Sequence, residues 1–160
     1  LMSEMIKEIN HSIFQEAQKD KNLEGMGTTI SAISFVGPEL IIGNVGDSRV
    51  YLVNQKRIYQ LTRDHSFVQE KISSGFYTRE EALRDPQRNI LTKSVGFERE
   101  VSPDIFHYKI RKNDIFLICS DGLHGKTSDQ EILAIINESI PDPSVCTSSE
   151  VETAVQNLIH

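Results

Sequence analysis

The chain has 160 residues, of which 38% are hydrophobic and 25% are charged, and this is enough for one domain with a buried core. Its formal net charge of −6 argues against a general binder of nucleic acid or of anionic membranes, because both functions need a basic face. No apolar run approaches the ~20 residues of a membrane helix, and the two cysteines make neither a disulfide framework nor a zinc site, so we expect a reduced, cytoplasmic location.

The first part of the chain has the pattern of one helix followed by short strands. Apolar residues at spacings of three and four between Met2 and Ala17 predict an amphipathic helix over residues 1–20. Runs rich in β-branched residues then predict four strands, which are Thr28–Val36, Leu40–Val45, Arg49–Val53 and Arg57–Leu61. Between the last two of these strands, Asn54-Gln55-Lys56 is predicted to form a hairpin turn. Strands this short with such brief connections indicate an antiparallel meander.

A long polar segment, residues 64–96, separates these strands from the rest. It is punctuated by glycines and contains one predicted helical fragment, Thr78–Leu83, so we predict that it is a flap beside a site. Beyond it the pattern predicts strands at 101–110 and 114–119, a helix capped by Ser128 and Glu131, and a last helix at 150–160. We expect one domain over residues 1–160.

Two aspartates stand at the ends of predicted strands. Asp121 follows the most apolar strand, where a carboxylate at low dielectric is costly unless it is paired or metal-bound. The alternative is that Asp121 only caps a turn or a helix N-terminus. Asp47 lies between two predicted strands, and the sequence Gly46-Asp47-Ser48 is typical of a tight turn, where Arg49 could neutralise the charge of Asp47. Two carboxylates at strand ends, with few histidines nearby, suit a hard cation such as Mg²⁺ or Mn²⁺.

The histidines give weaker signals. The contiguous Asp64-His65-Ser66 cannot form a catalytic triad, because a triad needs separated side chains that the fold brings together. His107 alternates along a predicted strand, and His124 follows Asp121 by three residues with no clear partner. We expect all three histidines to be structural or exposed.

Five short motifs occur in order along the chain. They are Gly25-Met26-Gly27-Thr28-Thr29, Gly46-Asp47-Ser48-Arg49, Leu61-Thr62-Arg63-Asp64-His65-Ser66, Asn89-Ile90-Leu91-Thr92 with Val95-Gly96, and Ser120-Asp121-Gly122-Leu123. Any one of them is weak, but five in order are specific. Together they resemble the type 2C (PPM) metal-dependent protein serine/threonine phosphatases in their bacterial form.

The resemblance implies an α+β fold, a sandwich of two antiparallel β-sheets flanked by helices, with two Mg²⁺ or Mn²⁺ ions at one end. It implies hydrolysis of phosphoserine and phosphothreonine in proteins by a water that the two ions activate. Asp121 matches the acidic metal ligand of the Ser-Asp-Gly motif, and Asp47 matches the aspartate of a third, more weakly held ion. Residues 64–96 match the family's flap. The implied partners are phosphoprotein substrates and an opposing serine/threonine kinase.

The chain also departs from the family pattern. The upstream Asp-Gly-x-Gly-Gly motif does not occur, and the downstream Asp-Asn motif would fall after His160. Gly125 stands where many members carry another acidic residue, which weakens the case for the additional metal position. We therefore expect a partial phosphatase domain that is inactive by itself and belongs to an active parent protein. The alternative is a non-catalytic phosphatase-like module for binding or regulation.

Overall fold

The computed structural model describes residues 1–54 and 57–159. Its helices are α1 (Met2–Lys19), α2 (Phe67–Ser73), α3 (Arg79–Arg84), α4 (Asp121–His124), α5 (Asp129–Ser139) and α6 (Ser148–Ile159). Its strands are β1 (Ile30–Val36), β2 (Glu39–Val45), β3 (Arg49–Asn54), β4 (Arg57–Gln60), β5 (Asp104–Lys109) and β6 (Ile115–Cys119). None of the helices in these ranges has both the length and the apolar character that a membrane crossing requires.

The strands form two antiparallel sheets of three strands each. β2 lies between β1 and β5 in the first sheet, and β3 lies between β4 and β6 in the second. The predicted continuous meander is therefore wrong, because β2 and β3 follow each other in sequence but belong to different sheets. Both strands are buried along most of their length, as central strands covered on both faces are. The chain crosses from one sheet to the other at the Gly46-Asp47-Ser48 turn.

Three apolar clusters define the layers of the molecule. One lies between α1 and the first sheet, one lies between the two sheets, and one lies between the second sheet and helices α5 and α6. In that order, their fully buried members are Ile6, Val45 and Val95; Leu40, Ile42 and Val50; and Val53, Ile132 and Ile136. Burial of each such aliphatic side chain stabilises the fold by about 1.5–3 kcal/mol. The layers are thus helix, sheet, sheet, helix, as expected for a sandwich with flanking helices.

Most predicted elements lie within three residues of the observed ones. The predicted cap of α5 is a complete capping box, in which Ser128 Oγ accepts from the amide of Glu131 and Glu131 Oε2 accepts from the amide of Ser128. The short helices α2 and α4 were not predicted, because their few residues show no clear apolar period. Gln55 and Lys56 of the predicted hairpin turn, and His160 at the end of the last helix, lie outside the described residues.

Candidate metal centre

The turn that carries Asp47 can be made only with a glycine at its first position. Gly46 has φ +103°, and a Cβ atom there would lie 2.3 Å from Cγ2 of Thr29. The turn leaves the first sheet after Val45 and enters the second at Arg49, so Asp47 emerges half-buried at the end of the sandwich.

Strand pairing brings Asp121 beside this turn. β3 and β6 are antiparallel, and Arg49 at the start of β3 is opposite Cys119 at the end of β6. Asp47 precedes Arg49 by two residues and Asp121 follows Cys119 by two, so the two aspartates leave the sheet at the same end. The sequence therefore identified two carboxylates that the fold brings together.

The electrostatics of the two aspartates differ from the expectation. Asp121 is the first residue of α4 and is exposed, so it does not sit at low dielectric as predicted. Asp47 is the half-buried partner, and burial raises its pKa, with a further rise from the negative charge of Asp121. The two carboxylates are close enough to repel each other, which is the arrangement that a bound cation relieves.

Arg49 does not neutralise Asp47, contrary to the alternative considered from the sequence. Its guanidinium instead forms a fork with Asp64, with Nη2 2.6 Å from Oδ2 and Nε 3.0 Å from Oδ1. Burial alone would lower the pKa of Arg49, but the hydrogen bonds and charge of Asp64 raise it. Arg49 Nη1 also donates to the hydroxyl of Tyr51, which donates to Asp129 at the start of α5. This buried network ties the second sheet to α5 beneath the Asp47 turn.

Two of the three histidines discussed from the sequence contact the turn that carries Asp47. Nδ1 of the buried His65 accepts a hydrogen bond from the amide of Gly46 at 3.1 Å. Nε2 of His124 lies 3.0 Å from the carbonyl oxygen of Asp47. Burial and the charge of Arg49 lower the pKa of His124. His107, in contrast, is exposed as expected on β5.

Residues 64–96 begin and end close to the turn. The amide of His65 donates to the carbonyl of Gly46, and the amide of Thr92 donates to the carbonyl of His65. Near the far end of the segment Val95 pairs with Thr28, just before β1. The side chain of buried Asn10, on α1, fixes the last residue of the segment by accepting a hydrogen bond from the amide of Gly96. It also donates to the carbonyl oxygens of Glu98 and Arg99.

The donor chemistry of the Asp47–Asp121 pair suits a hard cation. Carboxylate oxygens are the ligands that Mg²⁺ and Mn²⁺ prefer, and the mutual repulsion of the pair gives a cation a favourable place. In the described part of the chain, however, no three His, Cys, Asp or Glu side chains come together to hold a metal ion. A hard cation takes about six oxygen ligands, so the pair can supply only part of such a site.

The sequence did not reveal the pairing of Asp64 with Arg49, nor which backbone groups His65 and His124 contact. Arg49 could have indicated a nearby carboxylate such as Asp64, because a charged residue at the start of a strand that is otherwise buried needs a counterion. No local signal marked His65 or His124, because both act through backbone groups that are distant in sequence.

Known proteins are similar to this chain in sequence and in fold. The family described as Protein phosphatase 2C matches residues 2–71. The serine/threonine phosphatase stp of Listeria welshimeri is 38% identical over 131 residues, which are 82% of this chain and 52% of that protein. The chain thus spans about half the length of the curated relatives that it matches.

Solved structures of other proteins are also similar to this chain. The serine/threonine phosphatase Stp1 from Staphylococcus aureus superposes with a TM-score of 0.85 at 35% identity, over 98% of this chain and 60% of that one. The catalytic domain of the serine/threonine protein phosphatase PstP in complex with two manganese ions gives a TM-score of 0.73 at 34% identity, over 92% and 60%. The predicted sandwich of two antiparallel sheets is confirmed by these neighbours. The chain is similar to bacterial type 2C phosphatases in both sequence and fold.

Proposed function

We propose that the protein dephosphorylates phosphoserine and phosphothreonine in other proteins with the help of divalent metal ions. The observation that carries this proposal is the meeting of Asp47 and Asp121 at one end of the sandwich, where burial and then the charge of Asp121 raise the pKa of Asp47. The family is metal dependent, and the similar PstP domain holds two manganese ions, which supports Mn²⁺ or Mg²⁺ here.

The two aspartates have different roles in this proposal. Exposed Asp121 is the principal ligand, reachable from solvent, and half-buried Asp47 joins it in facing a third, more weakly held ion. When bound, the ions would lower the pKa of water and offset the charge of the phosphoryl group. The chain contributes by holding the two carboxylates in place at one end of the sandwich. Because no three His, Cys, Asp or Glu side chains come together to hold a metal among the described residues, we propose that the 160 residues alone are inactive.

We propose that residues 64–96 are a flap that selects substrates, within one partial phosphatase domain over residues 1–160. The anchoring of the segment near Asp47 at its start, and to Thr28 and Asn10 at its end, supports this role. Between the anchors it presents Phe76 and Leu83, which are 80% and 70% exposed. Such side chains are suited to contact a protein substrate rather than a small ester.

The partners follow from the chemistry. We propose phosphoproteins as substrates and a serine/threonine kinase as the opposing enzyme. A cytoplasmic location is supported by the two free cysteines, Cys119 and Cys146.

A second function is favoured by one observation. The described residues bring together only two candidate ligands, and Gly125 has no side chain to add a third. A Cβ atom at Gly125 would lie 2.6 Å from the carbonyl oxygen of Asp121, so an acidic residue there would require α4 to shift. A non-catalytic module that binds phosphoproteins through the same fold is consistent with this arrangement.

One assay separates the two functions. The protein, as its gene encodes it, is tested on phosphothreonine peptides and on p-nitrophenyl phosphate, with Mn²⁺ and after exhaustive chelation. We expect activity only with metal, and loss of most of it in Asp121→Asn but not in the control Asp142→Asn, which removes a charge from an exposed turn far along the chain. Full activity after chelation would contradict the metal-dependent reaction. Peptide binding without turnover would favour the module.

A further inference from the structure

Two backbone groups of the turn, one before and one after the side chain of Asp47, are each bonded to an imidazole. On the N-terminal side the amide of Gly46 donates to Nδ1 of His65, and on the C-terminal side the carbonyl of Asp47 faces Nε2 of His124 at 3.0 Å. A backbone amide can only donate and a carbonyl can only accept. The tautomers follow: Nδ1 of His65 carries no proton, and Nε2 of His124 carries one.

The two imidazoles contact the turn from outside the first sheet, whereas other side chains contact it from within that sheet. Ser31 of β1 and Asn44 of β2 also bond to the turn, through the carbonyls of Ser48 and Gly46, but these residues belong to the sheet that the turn leaves. His65 belongs instead to the start of the 64–96 segment, and its own amide donates to the carbonyl of Gly46 as well. The turn is therefore held between the sheet on one side and the two imidazoles on the other.

His124 connects the helix that carries Asp121 to the turn that carries Asp47. It is on α4 three residues after Asp121, and residues three apart lie on the same side of a helix. The bond from His124 to the carbonyl of Asp47 therefore sets the position of Asp121 relative to Asp47. Without it, repulsion between the two carboxylates would favour their separation, since nothing else on α4 is hydrogen-bonded to the described part of this turn.

We propose that His124 and His65 are positioning residues, which hold the backbone on either side of Asp47 so that its carboxylate and that of Asp121 face one cation. This inference rests on the proposed function, because it assumes that the pair binds metal. Neither imidazole is placed as a metal ligand. Nδ1 of His65 and Nε2 of His124 are engaged with the backbone of the turn, and Nε2 of His65 faces Oδ2 of Asp104 at 3.2 Å, so the expected effect on the metal is indirect, through the geometry of the two carboxylates.

The test uses isosteric substitutions in the 160-residue chain and Mn²⁺ as the probe. Nε2 of Gln occupies the place of Nε2 of His, so His124→Gln keeps the donor, whereas His124→Leu removes it. Asn likewise keeps an acceptor at the place of Nδ1 in His65→Asn, and His65→Leu does not. The measurements are the dissociation constant for Mn²⁺, by the electron paramagnetic resonance signal of free Mn²⁺, and the hydrogen exchange rates of the amides of Gly46 and Asp47.

We expect each Leu variant to weaken Mn²⁺ binding about tenfold and each amide variant to stay within about threefold of wild type. His65→Leu should also speed exchange of the Gly46 amide, a metal-free readout. The control His107→Leu, on the exposed face of β5, should change neither quantity. If His124→Leu is poorly folded, His124→Asn replaces it, because the shorter amide cannot reach the Asp47 carbonyl.

Asp121→Asn separates failure of the inference from failure of the proposed function. If Asp121→Asn weakens Mn²⁺ binding but the Leu variants bind like wild type, the positioning roles are overturned and the metal pair stands. Equal losses in the Leu and amide variants would overturn the roles as well, since the donor and acceptor would then not matter. If Asp121→Asn binds Mn²⁺ like wild type, the metal pair itself is refuted, and the inference falls with it.

Discussion

Two ion pairs of nearly equal burial hold two different regions of the molecule. Arg49 and Asp64 lie under the Asp47 turn, with side chains 23% and 9% exposed, and Lys71 and Asp85 lie within residues 64–96, with side chains 23% and 6% exposed. The first pair joins β3 to the start of the 64–96 segment and, through Tyr51, to α5. The second joins α2 only to the residue after α3.

The side chains around the two cationic groups, those of Arg49 and Lys71, also differ. Arg49 is fixed by a fork with Asp64 and has no alternative partner in the described chain other than the hydroxyl of Tyr51. The ammonium of Lys71 lies 4.5 Å from the ring centre of Phe67 and 4.6 Å from that of Tyr77, on a flexible stem that can reach solvent. The comparison indicates that the turn is built to stay in one position, whereas the 64–96 segment is a unit that can open locally.

The largest expected effect comes from breaking each pair at its carboxylate. Asp64→Ala leaves the guanidinium of Arg49 buried without its counterion, so we expect a loss of about 3 kcal/mol in the free energy of unfolding. Asp85→Ala should cost clearly less, because Lys71 can move to water. Chemical denaturation measures both losses, and hydrogen exchange should rise throughout the fold in the first variant but only within residues 64–96 in the second. Equal losses would contradict the difference between the regions.

The next largest loss of stability is expected from replacing a glycine in each of the two regions. Gly46 and Gly75 both have positive φ, +103° and +75°, but a Cβ at Gly46 would meet Thr29 at 2.3 Å, whereas at Gly75 no atom lies within 4 Å. Gly75→Ala should cost only the backbone strain, about 1 kcal/mol. Gly46→Ala adds a clash in a buried turn, so we expect about 3 kcal/mol and weaker Mn²⁺ binding. Similar midpoints of thermal unfolding for the two variants would show that the turn tolerates movement.

Asp47→Asn should have a smaller effect of opposite sign. Burial and the charge of Asp121 raise the pKa of Asp47, so its ionised form destabilises the metal-free fold. The penalty exists above the raised pKa and disappears as the pH falls below the unfolded value. We therefore expect Asp47→Asn to stabilise the metal-free protein by up to about 1 kcal/mol at pH 7, and the gain to vanish in acid.

The control for that measurement is Asp20→Asn, at an exposed position whose oxygen can still accept from the amide of Asn22. It should leave the midpoint of unfolding unchanged at both pH values. A loss of stability in Asp47→Asn at pH 7 would mean that the carboxylate is not under repulsion, and the electrostatic description of the pair would be wrong.

The smallest effect on stability is expected in the 64–96 segment itself. Phe76 is 80% exposed, so Phe76→Ser should leave the free energy of unfolding within about 0.5 kcal/mol. In the protein as its gene encodes it, we expect the change to lower kcat/KM for phosphopeptides several-fold while p-nitrophenyl phosphate is turned over as before. A uniform loss on both substrates would indicate a structural role instead.

Much of this architecture could be predicted from local patterns. The β-branched runs gave the strands, Ser128 and Glu131 gave the start of α5, and the position of Asp47 and Asp121 at strand ends indicated where the carboxylates lie. The partition of β2 and β3 between two sheets could not be predicted, because both are buried strands joined by a turn that also suits a hairpin. The roles of Asp64, His65 and His124 depend on contacts between distant residues, and these exist only after the sheets have paired.

The measurement that tests the central claim most directly is a titration of the isotopically labelled chain with Mn²⁺, followed by nuclear magnetic resonance. Paramagnetic Mn²⁺ broadens the amide signals of residues close to it. We predict that substoichiometric Mn²⁺ broadens residues 46–48 and 121–124 first, and that Asp121→Asn abolishes this pattern while Asp142→Asn preserves it. Broadening that begins instead around other carboxylates, with 46–48 and 121–124 unaffected, would contradict the assignment of Asp47 and Asp121 as a metal-binding pair.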